Sequence, residues 1–506
     1  MMDILRKSKW LVAAALFAFC VAPTFISYQP YLFRWDDSDY LQRSIAVSRA
    51  FWAGNVHGLG VAMVSIRPPA MTLLGLPWGP LVSWDAAGKC FITLAAAISL
   101  LAATCLYLLL RIGVKPFFLV AAAVCVSASL GPYPPGATAH AVATGFMADS
   151  LLAWTTLAAM LLIPYEARTD SSSPRTAVLR GLLWASILCL GAMTKVSFLY
   201  FVVLILPALV FIRLRRSGLR SALTALVAFA CWSIPSAVYL VRWGGPAFAT
   251  GKASSFGPLA NLYYHPLLQF LGEAIKQSPG LVISFVLTAA ALLYLLIKRG
   301  RNLLGPDFLP LLIMIGFGIV ALASTNRVIR FEFPVIVTLP FLTAILLSGR
   351  GGVIRGPSAA LVAGLVFCGL LAASVPMRHR ADRRILSRPE AILAKAANCS
   401  AKSIILATDS PTLNKNLMDL AVEFSAWGGP VKVETLAFHP MSDVQIDTDL
   451  RAISEADQVV FQDRNALSPP FTNQRAAEYE RYVQQSGYSP TRIGDDVDVY
   501  SIRCGG

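Results

Sequence analysis

Long apolar runs recur along this chain with clusters of arginine and lysine between them, and that alternation limits the fold more than any other feature. A run of about 18 or more apolar residues reads as a membrane-crossing helix, because a helix satisfies its own backbone polar groups where there is no water. The first run extends from about Trp10 to Ser27, after Arg6, Lys7 and Lys9. It is long for a signal-peptide core and no Ala-x-Ala cleavage site follows, so it is expected to stay as a helix. Further runs lie near Gly88 to Leu110, Pro116 to Gly131, Phe146 to Ile163, Leu179 to Met193, Val196 to Ile212, Ser221 to Leu240, Ser278 to Ile297, Pro306 to Ala323, Phe333 to Leu347 and Pro357 to Val375. The fold class expected is a polytopic α-helical membrane protein with about eleven transmembrane helices.

Every second junction is basic: Arg111 and Lys115, then Arg168, Arg175 and Arg180, then Arg213, Arg215, Arg216 and Arg220, then Lys298, Arg299 and Arg301, then Arg350 and Arg355. These fall on the side of Arg6 and Lys7, which the positive-inside rule makes cytoplasmic. An odd number of spans then leaves the C-terminus outside. The formal charge of +15 is accounted for by these junctions. No basic, aromatic-studded face appears, so nucleic acid is not an expected partner. Arg327 and Arg330 break the rule by falling on the external side, and binding an anion explains them.

From about Arg378 the composition becomes that of a soluble protein. Ser403 to Ala407, Gln458 to Phe461, Val431 to Thr435 and Val497 to Ile502 read as strands, and Thr412 to Trp427 and Gln474 to Gln485 as helices. The expected division is a transmembrane part over residues 1–377, with a large first external loop at 28–87, and a small extracytoplasmic α/β domain over residues 378–506. The turn Ala407-Thr408-Asp409-Ser410-Pro411 lacks the glycines of a dinucleotide site, so it is assigned no cofactor. Seven of the nine cysteines lie in apolar runs; Cys399 and Cys504 bracket the polar region and are expected to form a disulfide outside the cytoplasm.

Acids are scarce, 28 against 43 basic residues, yet Trp35-Asp36-Asp37-Ser38-Asp39-Tyr40 puts three carboxylates into five positions after the first run. Leu41, Ile45, Phe51 and Trp52 follow roughly on one side of a helix, which suits a helix lying in the membrane interface with Asp36 and Asp37 at its start. A cap needs one carboxylate and here there are three, so a base that takes a proton from a hydroxyl is the preferred reading; Asp39 is expected to be solvated. Four more features are expected near the same surface: Arg67 before Pro68 and Pro69, Asp149, Lys195 after Thr194, and Arg327 with Arg330. Asp149 reads equally as a first-turn acid favoured by the helix dipole, and Arg67 as a side chain reaching lipid headgroups.

The order and spacing of Asp36-Asp37-x-x-Tyr40, Arg67-Pro68-Pro69, Asp149, Thr194-Lys195 and Arg330-Phe331-Glu332-Phe333-Pro334 resemble the GT-C glycosyltransferases. The branch resembled contains the protein O-mannosyltransferases and the aminoarabinose transferase of lipid A. That branch carries an Asp-Glu pair then Tyr, Lys-Pro-Pro, an acid opening the fourth helix, Thr-Lys, and Arg-Tyr-x-x-Pro; Asp37, Arg67 and Phe331 depart from it. The resemblance covers about Trp10 to Leu347. It implies an inverting transferase that moves a sugar from a polyprenyl-phosphate donor to an acceptor hydroxyl on the outer face of the plasma (inner) membrane. Asp36 would be the general base, Asp37 and Asp149 would orient the acceptor or stabilise charge on the sugar ring, and Tyr40, Arg67, Lys195, Arg327 and Arg330 would bind substrate or the lipid phosphate. The acceptor is a glycan, a lipid or a protein. No cofactor is required; Asp36, Asp37 and Asp149 are able to hold a divalent metal, but the reaction does not demand one. Two other classes remain in view: a flippase or transporter of lipid-linked sugars, disfavoured because no repeat or matched pair of broken helices is visible, and a ligase or polymerase using a lipid diphosphate.

Overall fold

The computed structural model describes residues 17–18, 35–65, 67–82, 85–130, 148–169, 173–249, 266–277, 282–283, 285–290, 293, 297, 305–323, 333–348, 383–410, 413–424, 431–436, 443–463 and 470–502. The chain divides into two compact units. One comprises Met1–Tyr28, Asn55–Leu74 and Phe91–Met377; the other comprises Gln29–Gly54, Gly75–Cys90 and Arg378–Gly506. The expected spans at Trp10 to Ser27 and Pro357 to Val375 lie almost wholly, the latter entirely, outside the described residues.

In chain order the described helices begin with α1 (Trp35–Trp52), α2 (Val56–Met63), α3 (Asp85–Ile112), α4 (Pro116–Leu130), α5 (Ala148–Arg168), α6 (Pro174–Thr194), α7 (Leu199–Trp243), α8 (Leu267–Gln277), α9 (Leu309–Ala323) and α10 (Phe333–Ser348). Among the described residues, four helical stretches are long and apolar enough to cross a bilayer: Ala86–Ile112, Ala148–Arg168, Pro174–Thr194 and Val196–Trp243. Pro116–Ser129, Leu309–Val320 and Phe333–Ser348 are shorter apolar helices.

The 45-residue α7 is two helices rather than one. Gly218 alone leaves the helical region, with φ 81° and ψ 171°, a conformation open to glycine because it has no Cβ. The break falls among Arg213, Arg215, Arg216 and Arg220, where the sequence places a junction. A Cβ added at Gly181 of α6 would meet the Ala225 carbonyl oxygen at 2.1 Å, so α6 and the second half of α7 pack through a bare backbone.

At the basic end of this unit lies a charge cluster that sequence reading did not single out. Glu166, near the end of α5, is 2% exposed. It accepts a hydrogen bond from Arg213 Nη1 at 2.5 Å and lies 3.5 Å from Arg180 Nη1. Arg180 also stacks over the Tyr165 ring, 4.0 Å from its centroid. Arg168 donates to the Ile112 carbonyl at 2.6 Å and pairs with Asp307 at 2.6 Å. Three helices that lack a hydrophobic drive to associate in lipid are thereby tied through one carboxylate.

The second unit holds α11 (Arg383–Asn398), β1 (Ser403–Leu406), α12 (Lys415–Phe424), β2 (Lys432–Thr435), α13 (Asp443–Glu455), β3 (Gln458–Gln462), α14 (Pro470–Gln485), β4 (Pro490–Ile493) and β5 (Val497–Ser501). The strand order is β2-β1-β3-β5-β4, with β1 parallel to β2 and β3, and β5 antiparallel to β3 and β4. Period-two alternation gives the sheet two buried faces. Ile404, Leu406, Val460, Val497 and Val499 pack with Ile392 of α11 and Met418 of α12. Ile405, Val459, Phe461 and Tyr500 pack with Ile453 of α13 and with Tyr479 and Val483 of α14. The result is a sheet with helices on both faces.

Helix α1 belongs to this second unit. Leu41 and Ile45 are 1% and 0% exposed, so the apolar side expected to face a membrane interface is instead covered by protein, while Phe51 and Trp52 are about half exposed.

Candidate active site

In the helical unit, three of the expected positions are brought together. Asp149 stands in the first turn of α5, where a carboxylate favours the exposed amides and the positive end of the dipole. It is 5% exposed, and its Oδ1 accepts a hydrogen bond from Lys195 Nζ at 2.6 Å. Lys195 is the residue at which α6 ends; its backbone is extended, with φ −156° and ψ 135°, and its N–H closes on the Gly191 carbonyl. A lysine at this depth needs a counter-charge, and Asp149 supplies it. The short contact fixes the direction in which the Lys195 ammonium points.

The Arg67-Pro68-Pro69 segment is stitched to the same corner. The Ala70 N–H donates to the Met193 carbonyl at 2.9 Å, two residues before Lys195. Thr72 Oγ1 donates to the Pro69 carbonyl at 2.7 Å, and the Arg67 N–H donates to Ser65 Oγ at 3.0 Å. Two consecutive prolines fix their own φ and restrict the residue before each, so Arg67 sits on a stiff, anchored turn. Arg67 is partly exposed. Arg67 is thus anchored, through Ala70, to the backbone two residues before Lys195, which Asp149 holds.

The acidic stretch belongs to the other unit. Asp36 and Asp37 lie in the first turn of α1, whose helix starts at Trp35. Asp39, expected to be solvated, is 8% exposed and pairs with Arg43 at 2.9 Å, because the helix places residues i and i+4 on one face. Tyr40 is buried, at 4% exposure, and its carbonyl accepts from Ser44 Oγ at 2.9 Å. Arg327 and Arg330 lie outside the described residues. Among the described residues there is no group of three or more His, Cys, Asp or Glu side chains able to hold a metal ion.

What sequence reading missed is the partner of α1. Ser38 Oγ donates to Asn414 Oδ1 at 3.4 Å, Gln42 Nε2 donates to Asp419 Oδ2 at 3.4 Å, and Arg49 pairs with Glu423. Lys415 also reaches Asp419, at 2.7 Å. Burial pushes the Glu423 carboxyl above its ordinary value; Arg49 pulls it down and Asp419 pushes it further up. Asn414 is recognisable in sequence only as a helix cap, and the structure shows it capping α12 by accepting the Leu417 N–H at 3.0 Å.

No family model matches this sequence, and no curated protein matches it. Solved structures do. ArnT from Cupriavidus metallidurans bound to undecaprenyl phosphate superposes with a TM-score of 0.52 at 14% identity, over 96% of this chain and 97% of that one. ArnT from the same organism in the apo state gives 0.53 at 13% identity, over 98% of each chain. The Archaeoglobus fulgidus oligosaccharyltransferase tethered with an acceptor peptide containing the NVT sequon gives 0.50 at 12%, over 93% of this chain and 71% of that one. At such identities the likeness is one of architecture: a polytopic helical membrane protein with a C-terminal α/β region.

Proposed function

We propose that this chain, a polytopic membrane protein with the GT-C fold, is an inverting glycosyltransferase that moves a sugar from a polyprenyl-phosphate donor to an acceptor hydroxyl. The observation that carries the proposal is the anchored Arg67, Asp149 and Lys195 set, in a chain whose architecture matches ArnT end to end. In the reaction, Asp36 takes the proton of the acceptor hydroxyl as its oxygen attacks the anomeric carbon. The bond from that carbon to the phosphate oxygen breaks on the opposite side, and polyprenyl phosphate leaves with the electron pair. Lys195 and Arg67, with Arg327 and Arg330, stabilise the charge on the leaving phosphate. Asp149 holds Lys195, and Asp37 and Tyr40 orient the substrates. One cation at contact distance from a unit anionic charge is worth roughly 4 kcal/mol at an effective dielectric of about 20, before desolvation is subtracted. Two or three such contacts are therefore large enough to matter to leaving-group departure.

The reading is tested by binding of undecaprenyl phosphate to the purified full-length protein. Lys195→Met is expected to weaken that binding by about tenfold or more. Binding that is undetectable in the native protein, or equal in the variant, would remove the assignment.

The orientation proposed is a multi-pass plasma-membrane protein with a cytoplasmic N-terminus and the α/β region outside. Support comes from the basic junctions and from Cys399, which is disulfide-bonded, a state that persists in oxidising compartments. Cys504 lies outside the described residues and is the proposed partner. A shift in non-reducing gel mobility that disappears on reduction, and is absent in Cys504→Ser, is expected; unchanged mobility with two alkylatable thiols would refute the pairing.

A further inference from the structure

The three contacts between α1 and α12 share a pattern. Ser38, Gln42 and Arg49 recur at intervals of four and seven, which places them on one stripe of α1. Their partners Asn414, Asp419 and Glu423 are the cap of α12, its middle and its last turn. The stripe engages α12 from the first turn and a half of α1 to its end. At the first contact, Ser38 is 0% and Asn414 2% exposed. The Asn414 carboxamide makes three hydrogen bonds there: Oδ1 accepts from the Leu417 N–H and from Ser38, and Nδ2 donates to the Ser410 carbonyl at 3.2 Å. A buried polar group held by three partners has one orientation, and it imposes that orientation on whatever it touches.

Ser38 follows Asp37 directly in the first turn of α1. We infer that Asn414, assisted by Asp419 and Glu423, is a positioning residue for the transfer reaction, acting through Ser38 to fix the first turn of α1, on whose backbone Asp36 and Asp37 stand. The inference rests on the reading of Asp36 as the base. It gives the C-terminal α/β region a function: it is the bed on which the reactive helix lies. Most of a helix's stability in a protein comes from packing rather than from propensity, so α1 needs such a bed to hold a fixed geometry. A displacement of about 1 Å in a reacting group is enough to lower a rate about a hundredfold.

The test uses the full-length protein in detergent and synthetic undecaprenyl phosphate-linked pentose and hexose as donor probes, with release of undecaprenyl phosphate as the readout. Asn414→Ala is expected to lower kcat by about 10- to 100-fold while KM for the donor stays within about twofold. Backbone amides of residues 35–52 are expected to exchange faster with solvent deuterium in the same variant. Asn414→Asp keeps an oxygen for both Ser38 and the α12 amide but loses the donor to the Ser410 carbonyl, and is expected to restore kcat in part, to at least about threefold above Asn414→Ala. Adding Ser38→Ala to Asn414→Ala is expected to bring no further loss, because both remove one interaction. Native kcat in Asn414→Ala overturns the inference, as does a loss of kcat with unchanged exchange in residues 35–52, or an equal loss in Asn414→Asp. Full activity in Asp36→Asn would instead end the reading of Asp36 as base, leaving the exchange measurement to decide whether Asn414 anchors α1.

Discussion

Asp36→Asn is expected to lower transfer by about 10²- to 10⁴-fold while undecaprenyl phosphate still binds as tightly as to the native chain. The substitution is nearly isosteric and keeps an oxygen at the first turn of α1, so the helix keeps its start. What it removes is the capacity to accept a proton from the acceptor. On the proposed reading, binding of the lipid phosphate belongs to cations such as Lys195, and removing a carboxylate does not weaken an anion's affinity. The two readouts therefore move apart if Asp36 is the base. Parallel loss of both would point to misfolding, and retention of both would move the base elsewhere; Asp37→Asn is the next variant to measure. A flippase would show neither pattern, since it needs no proton acceptor at that position.

Glu166→Ala is expected to destabilise the helical unit by roughly 3–5 kcal/mol, the usual consequence of stripping a buried ion cluster of one partner. Arg213 and Arg180, 1% and 7% exposed, would keep their charges without the carboxylate that holds them. Arg180 retains its stacking on Tyr165, which offsets a part of the loss. Heating the detergent-solubilised protein should show a midpoint lowered by about 5 °C or more. A midpoint within about 1 °C of native would mean that the cluster contributes little. Asp149 and Glu166 stand at opposite ends of α5, about 25 Å apart at 1.5 Å per residue, so this variant isolates stability from the chemistry assigned to Lys195.

The membrane architecture was legible because its signal is strong and local. Apolar length and basic junctions marked α5, α6 and both halves of α7, and the arginine cluster at 213–220 marked the break that Gly218 makes. The buried strands β1, β3 and β5 were legible from their apolar or alternating runs. Strand β4 was not, because Pro490-Thr491-Arg492-Ile493 is a mostly exposed edge whose conformation comes from pairing with β5 rather than from its own residues. Helix α12 is legible, but the spacing puts its start at Thr412 whereas the cap is Asn414. Of the candidate site, Asp149 and Lys195 were singled out separately; that they pair follows from the packing of α5 against α6, which no spacing of 46 residues reveals. Glu166 did carry a signal, an acid among arginines in an apolar helix, since an ionisable residue there requires a partner. The stripe Ser38, Gln42 and Arg49 carried none, because polar residues at helical spacing look the same whether water or another helix faces them.

Ser38 and Asn414 are separated by 376 positions in the chain. At about 5–20 residues added per second, α1 is made between about 20 and 75 s before the helix it lies on exists. During that interval every membrane span must be threaded while α1 waits without its bed. Folding of the C-terminal α/β region therefore follows that wait, and on the inference above it also sets the first turn of α1 in place. On the proposed reading, a nascent chain acquires the reactive geometry of α1 only after α12 has been made, which protects a lipid-linked donor from copies that still lack it.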